Sequence, residues 1–195
     1  MKKVLKVGFD LDGVILYNPI RVFRPFAKKF LKPLKAGVLG QEKESFYFPR
    51  SNFEKFLWRL IHLTSFKINR GYDDLKKLSK NKGIRLYLVT GRYGFLEDDY
   101  EKWLKKINAN KVFEKCYINK KNTQPNEFKE EIIKKLKLDI YVEDNWDIIE
   151  KLNHHTGAEI LWITNLVDRV IPYKNKFNDL KEVSLFLKKF SSRHV

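Results

Sequence analysis

The sequence predicts an α/β fold: a Rossmann-like three-layer parallel sheet with a small helical cap inserted after the first strand. From Ile84 onward, short apolar runs alternate with amphipathic stretches of helical period, the pattern of βαβ units whose parallel sheet is covered on both faces. Three apolar runs close in polar clusters, Asp10-Leu11-Asp12-Gly13, Thr90-Gly91-Arg92 and Glu143-Asp144-Asn145. All three fall at expected carboxyl ends of strands, where open α/β sheets bind their ligands, so they are expected to meet in one crevice. Residues 17–69, between the first strand and the next, exceed what a simple crossover helix requires, and the excess reads as the cap.

The elements follow in order. Val7-Gly8-Phe9 leads a buried strand into Asp10. Asn18–Lys35 carries Ile20, Val22, Phe23, Phe26, Phe30 and Leu31 at helical spacing, with interruptions at Pro25 and Pro33, and Gly37–Gly40 breaks it. Phe46-Tyr47-Phe48-Pro49 ends in a turn. Ser51-Asn52-Phe53-Glu54 has the form of a capping box, opening a helix with Phe53, Phe56, Leu57, Leu60 and Ile61 on one face. A helix follows over Gly71–Lys82. The regular part then reads as strand Arg85–Val89, helix Phe95–Ile107, strand Val112–Ile118, helix Asn126–Lys137, strand Asp139–Val142, helix Trp146–Thr156, strand Ala158–Ile163 and helix Asn178–Phe190. Ser191–Val195 reads as a frayed tail. The expected division is a core of residues 1–16 and 70–190, a cap of 17–69 and a tail of 191–195.

The 195 residues suit one domain with an insertion, and 43% hydrophobic with 14% aromatic residues argues for a packed globular protein over a disordered one. Cys116 is the lone cysteine, which excludes an internal disulfide framework and fits a reducing, cytoplasmic setting. The basic N-terminus runs straight into the acidic motif without the apolar stretch of a signal peptide, and charges interrupt every apolar run, so no membrane span is expected. The formal net charge of +16 surrounds the molecule with a positive field. Its lysines recur as scattered pairs such as Lys28-Lys29, Lys105-Lys106 and Lys188-Lys189, with no single stripe. Solvated helix faces are expected, and no specific nucleic-acid partner.

The chemistry begins with Asp10 and Asp12, two apart on a strand end and pointing to the same side. Two like charges so close need a cation or donors to compensate. Asp10, Asp12 and the Glu143-Asp144 pair would form an oxygen site for a hard cation with open positions, which suits Mg²⁺ in phosphate chemistry. Thr90 adds a hydroxyl and Gly91 close backbone amides, both phosphate-binding parts. Lys129, in the first turn of its helix, would add positive charge to the same phosphate.

These motifs resemble the haloacid dehalogenase (HAD) superfamily of phosphohydrolases. Asp10-Leu11-Asp12-Gly13 is similar to its first motif, Thr90 in Leu88-Val89-Thr90-Gly91-Arg92 to its second, Lys129 to its third and Glu143-Asp144 to its fourth, in the family's order. Within the superfamily, Val142-Glu143-Asp144-Asn145, Asn165 and Phe177-Asn178-Asp179-Leu180 are similar to small relatives of the C-type 5′-nucleotidases; Trp146 and Glu143 stand where those relatives often have Pro and Asp. The resemblance implies catalytic roles for Asp10 as nucleophile and Asp12 as acid and base, with Thr90 and Lys129 holding the phosphoryl oxygens. It implies Mg²⁺ on Asp10, Asp144 and the Asp12 carbonyl. The implied substrate is a small phosphorylated metabolite, with a nucleoside monophosphate leading, hydrolysed through an aspartyl-phosphate.

Some readings stay open. Glu143 binds the metal through water or positions Lys129. Arg92 takes a distal anion of the substrate or is a solvated loop arginine, and Trp146 stacks on a nucleobase or packs on its neighbours. The cap's Phe46, Tyr47, Phe48, Arg50, Trp58, Arg59 and His62 line a lid or fill the cap itself, and a membrane-surface role for Asn52–Phe66 is a third choice. The runners-up for the whole chain are a non-catalytic phosphate- or nucleic-acid-binding module and a phosphotransferase or mutase. Oligomeric state is left unassigned.

Overall fold

The computed structural model describes residues 4–19, 46–165 and 167–194. In chain order its elements are β1 (Leu5–Phe9), β2 (Leu16–Tyr17), α1 (Asn52–Leu63), β3 (Lys67–Ile68), α2 (Tyr72–Leu78), β4 (Ile84–Tyr93), α3 (Glu97–Lys106), β5 (Lys115–Asn119), α4 (Pro125–Leu136), β6 (Ile140–Glu143), α5 (Trp146–His155), β7 (Glu159–Ile163), β8 (Lys176–Phe177) and α6 (Leu180–His194). Six strands form one parallel sheet in the order β5-β4-β1-β6-β7-β8. The chain steps outward from β1 through β4 to β5, then returns to the other side of β1 for β6. The crevice at this reversal opens at the carboxyl ends of β4, β1 and β6.

Strand periodicity divides the core between the two sheet faces. In β4, Ile84, Leu86 and Leu88 enter one apolar cluster while Tyr87 and Val89 enter another. β6 repeats this with Ile140 and Val142 against Tyr141, and β7 with Leu161 and Ile163 against Ile160 and Trp162. The first cluster includes Leu75 of α2, Tyr100 and Trp103 of α3, and Leu180, Val183 and Leu187 of α6. The second includes Ile132 and Ile133 of α4 and Ile148, Ile149 and Leu152 of α5. Helices thus cover both faces, the expected three-layer arrangement.

Several boundaries differ from expectation. β4 runs through Thr90-Gly91-Arg92 to Tyr93, and its ladder with β5 slips between Thr90 and Tyr93. Such an irregularity re-aims side chains beside a site, and here it turns Arg92 inward. The strand read from Val112 starts at Lys115, because Val112 and Phe113 are buried apolar residues of the preceding turn. α6 continues to His194, so Ser191 lies within a helix and not a frayed tail. The short β2–β3 antiparallel pair and β8 are too brief for periodicity to register. From residue 20 on, the helix read over Asn18–Lys35 and the break at Gly37–Gly40 fall outside the described residues.

α1 opens as read. Ser51 Oγ accepts from Glu54 N at 3.1 Å, and the Glu54 carboxylate accepts from Ser51 N at 2.8 Å. Its apolar stripe faces outward: Phe53, Phe56, Leu57, Leu60 and Ile61 are all exposed, Phe53 at 69%. The side bearing Trp58 and His62 is turned toward the sheet and partly covered. Among the described residues, no helix is long and apolar enough to cross a membrane.

Candidate active site

β1 ends at Phe9, and Asp10 N continues toward β6 by donating to Val142 O at 3.0 Å. The Asp10 carboxylate therefore stands beside the end of β6. Lys129 reaches it from α4, its Nζ lying 3.0 Å from Asp10 Oδ1 and donating to Glu143 Oε2 at 2.7 Å. The other Glu143 oxygen accepts from the backbone of Asp144 at 3.2 Å and Asn145 at 3.1 Å. Asp10, Glu143 and Asp144 are buried, and one oxygen of each lies within 4.8 Å of the others. Gly13 makes room for this group: its φ is +85°, and a Cβ there would sit 2.5 Å from the Asp144 carboxylate.

Burial pushes the Asp10 carboxyl well above its usual range, Lys129 opposing the shift while Glu143 and Asp144 add to it. Burial raises Glu143 too, again against Lys129. The Lys129 ammonium, despite its own burial, is held charged by these two partners. One lysine thus falls short of offsetting the desolvation of the acids around it. The donor set, hard oxygens packed around a buried point, fits a divalent cation.

Asp12 is in a different environment. Arg92 binds it bidentately, Nε to Oδ2 and Nη2 to Oδ1, both at 2.7 Å. Burial alone would raise this carboxyl, but Arg92, with His62 beside it, holds it well below the usual range. Arg92 also pairs with Asp99 of α3 and is only 3% exposed. It is therefore not a solvated loop arginine, and its guanidinium is committed to two carboxylates. Ser65 Oγ donates to Asp12 Oδ1 at 2.7 Å, and His62 Nδ1 lies 3.5 Å from Oδ2 without a hydrogen bond of its own.

The remaining residues read from the sequence divide between the crevice and the packing around it. Thr90 is buried, its Oγ1 accepting from Arg92 N at 3.3 Å. At Gly91 a Cβ would come within 2.8 Å of Pro125, so the glycine lets β4 pass the start of α4. Trp146 packs on Trp162 and Tyr173, with ring centroids 4.7 and 5.6 Å away, and Trp162 Nε1 donates to Asp144 O at 3.2 Å. Ser65 and Asp99 are not singled out by the sequence, and His62 is read there only as lining a lid or filling the cap. Each lies far in sequence from Asp12 and carries no motif; the one available hint was that a buried Arg92 would need more than one acid.

No protein-family profile and no curated protein matches the sequence. Solved structures do match. A magnesium-bound structure of the HAD-hydrolase YfnB from Bacillus subtilis aligns over 96% of this chain and 100% of its own, with 14% identity and a TM-score of 0.63. The chain has a HAD-like fold. A family IA HAD hydrolase from Entamoeba histolytica aligns over 92% of this chain and 95% of its own, at 16% identity and a TM-score of 0.60. CbbY from Rhodobacter sphaeroides, in complex with phosphate, covers 92% and 96% at 13% identity and a TM-score of 0.53. The C-type 5′-nucleotidase likeness has no counterpart among these HAD-like structures.

Proposed function

We propose that this protein is an Mg²⁺-dependent phosphomonoesterase that hydrolyses a small phosphorylated metabolite through an aspartyl-phosphate on Asp10. The observation that carries the reading is the buried group of Asp10, Lys129, Glu143 and Asp144 at the carboxyl ends of β1 and β6. Binding alone would need neither so buried a carboxylate at Asp10 nor a second, separately tuned one at Asp12.

Mg²⁺ would be held by Asp10, Asp144 and the main-chain carbonyl of Asp12, and when bound it supplies the positive charge that lets an anionic ester approach an anionic carboxylate. The chain's own groups do the rest. Asp10 attacks phosphorus in line, and the bond to the ester oxygen breaks as Asp12, in its protonated form, gives that oxygen its proton. Thr90 and Lys129 hold the phosphoryl oxygens, and Glu143, which accepts from Lys129, keeps that ammonium aimed at Asp10. Water then attacks the aspartyl-phosphate, Asp12 takes its proton, and the bond to Asp10 breaks, releasing phosphate. Arg92 keeps Asp12 ionised for that second step. To act as an acid in the first step Asp12 must gain a proton, so esters whose leaving groups need none should react fastest.

A nucleoside monophosphate remains the leading ester. Tyr47, Trp58 and His62 stand in a row, with centroid separations of 5.5 and 6.2 Å, and end beside Asp12. This supports a substrate with an aromatic group. Phosphate release from a panel of monoesters, with Mg²⁺ or EDTA and with Asp10→Asn alongside the wild type, tests the proposal. Release that needs both the metal and Asp10 is expected; Mg²⁺-dependent release that persists in Asp10→Asn would overturn it.

A further inference from the structure

The carboxylate read as acid and base is shared between two parts of the chain. On the sheet side, Arg92 grips both oxygens of Asp12. From the segment that follows α1, Ser65 donates to Oδ1, and His62 in the last turn of α1 faces Oδ2. Ser65 is 1% exposed, so it is no surface hydroxyl that meets the acid by chance. A carboxylate has about four lone-pair sites. Arg92 and Ser65 occupy three, and the fourth is toward His62.

The same stretch is tied to the loop that carries Asp12. Asn69 N donates to Ile15 O at 2.8 Å and Asn69 Nδ2 to Val14 O at 3.0 Å, while β2 pairs with β3 just after Ser65. α1 itself buries no residue. Its other polar ties to the core are peripheral, such as Arg59 Nη2 to Phe95 O at 3.2 Å. A hydrogen bond to a charged carboxylate is stronger than a neutral one, so Ser65–Asp12 weighs most among these ties.

We infer that Ser65 and His62 are positioning residues for Asp12, so that proton transfer depends on α1 being seated against the core. The inference rests on the phosphatase reading for its catalytic consequence, but not for the physical coupling. Atoms and charges are unchanged from the steps above; what is added is that the insertion sets where the Asp12 carboxylate points. Ser65 and His62 act through Asp12 and touch no reacting atom in this assignment.

A double-mutant cycle on the full chain, combined with hydrogen exchange, tests it. Ser65→Ala is expected to lower kcat for 4-nitrophenyl phosphate about 10-fold with KM little changed. In an Asp12→Asn background the same substitution should have less than about a twofold effect, because its route to the chemistry is gone. Equal losses in both backgrounds, or a loss confined to KM, would overturn the inference. Independently of turnover, Asp12→Asn should speed amide exchange over residues 52–66 about 10-fold while leaving β4 and β6 protected. Unchanged exchange would overturn the coupling. If the wild type releases no phosphate from any ester, the phosphatase reading falls, and the exchange result alone decides whether the insertion is coupled to Asp12.

Discussion

The two acids of the first motif sit 2 residues apart and live in opposite environments. Asp10 stands among Lys129, Glu143 and Asp144, where burial outweighs the one ammonium and pushes its carboxyl up. Asp12 stands between Arg92 and Ser65, where a bidentate ion pair outweighs burial and pushes its carboxyl down. One strand end thus carries a carboxylate short of positive charge and another well supplied with it. The difference comes from what each side chain faces: Asp10 meets the sheet's own strand ends, whereas Asp12 meets β4's irregular end and the segment that follows α1. Divergent tuning of neighbouring carboxylates is how one site separates two roles.

Replacing Asp12 by Asn should keep metal binding but slow turnover by roughly 10²–10⁴-fold, the usual worth of acid–base catalysis. Steady-state kinetics beside an Mg²⁺ titration would show it, and loss of metal binding in this variant would erase the contrast with Asp10. Lys129→Met tests the other side. It leaves Asp10 and Glu143 buried without their ammonium, and a destabilisation of about 3–5 kcal/mol is expected in urea denaturation without Mg²⁺. An unchanged midpoint would mean that the acids there are less dependent on Lys129 than the contacts indicate.

The same contrast extends to packing. Leu88→Ala, at a fully buried position of β4, should cost about 2–5 kcal/mol, whereas Phe53→Ser on the outward face of α1 should cost less than about 0.5 kcal/mol. Equal costs in denaturation would show that the α1 stripe is covered in solution. The smallest effect concerns Cys116, whose thiol burial pushes up to about 12. The thiol is only partly buried, so at pH 8 a thiol reagent should reach it in the folded protein but label it far more slowly than a free thiol. Labelling as fast as a free thiol would contradict its burial.

How much of this was legible in the sequence follows from the same division. The sheet was readable because Ile84, Leu86 and Leu88 alternate with Tyr87 and Val89, and a period of two leaves little freedom in which face each side chain takes. Asp10, Thr90, Glu143 and Asp144 stand out as candidates because they end such runs. Lys129 was found by position in a helix. The Arg92–Asp12 pair spans 80 residues and depends on the slipped register after Thr90, which no local pattern announces. The orientation of α1 is not legible in the sequence for a related reason. Its helical stripe of Phe53, Phe56, Leu57 and Leu60 specifies an amphipathic helix but not which side meets the core, and Trp58 with His62 took that side.

Attack on phosphorus by a carboxylate oxygen of Asp10 is read most directly by acid-quenched peptide mapping after brief reaction with a monoester in Mg²⁺. One phosphoryl group is expected on the peptide carrying Asp10, more of it in Asp12→Asn because the second step is slowed, and none with EDTA. Phosphate release at full rate with the phosphoryl group on another residue, or on none in either protein, would contradict it.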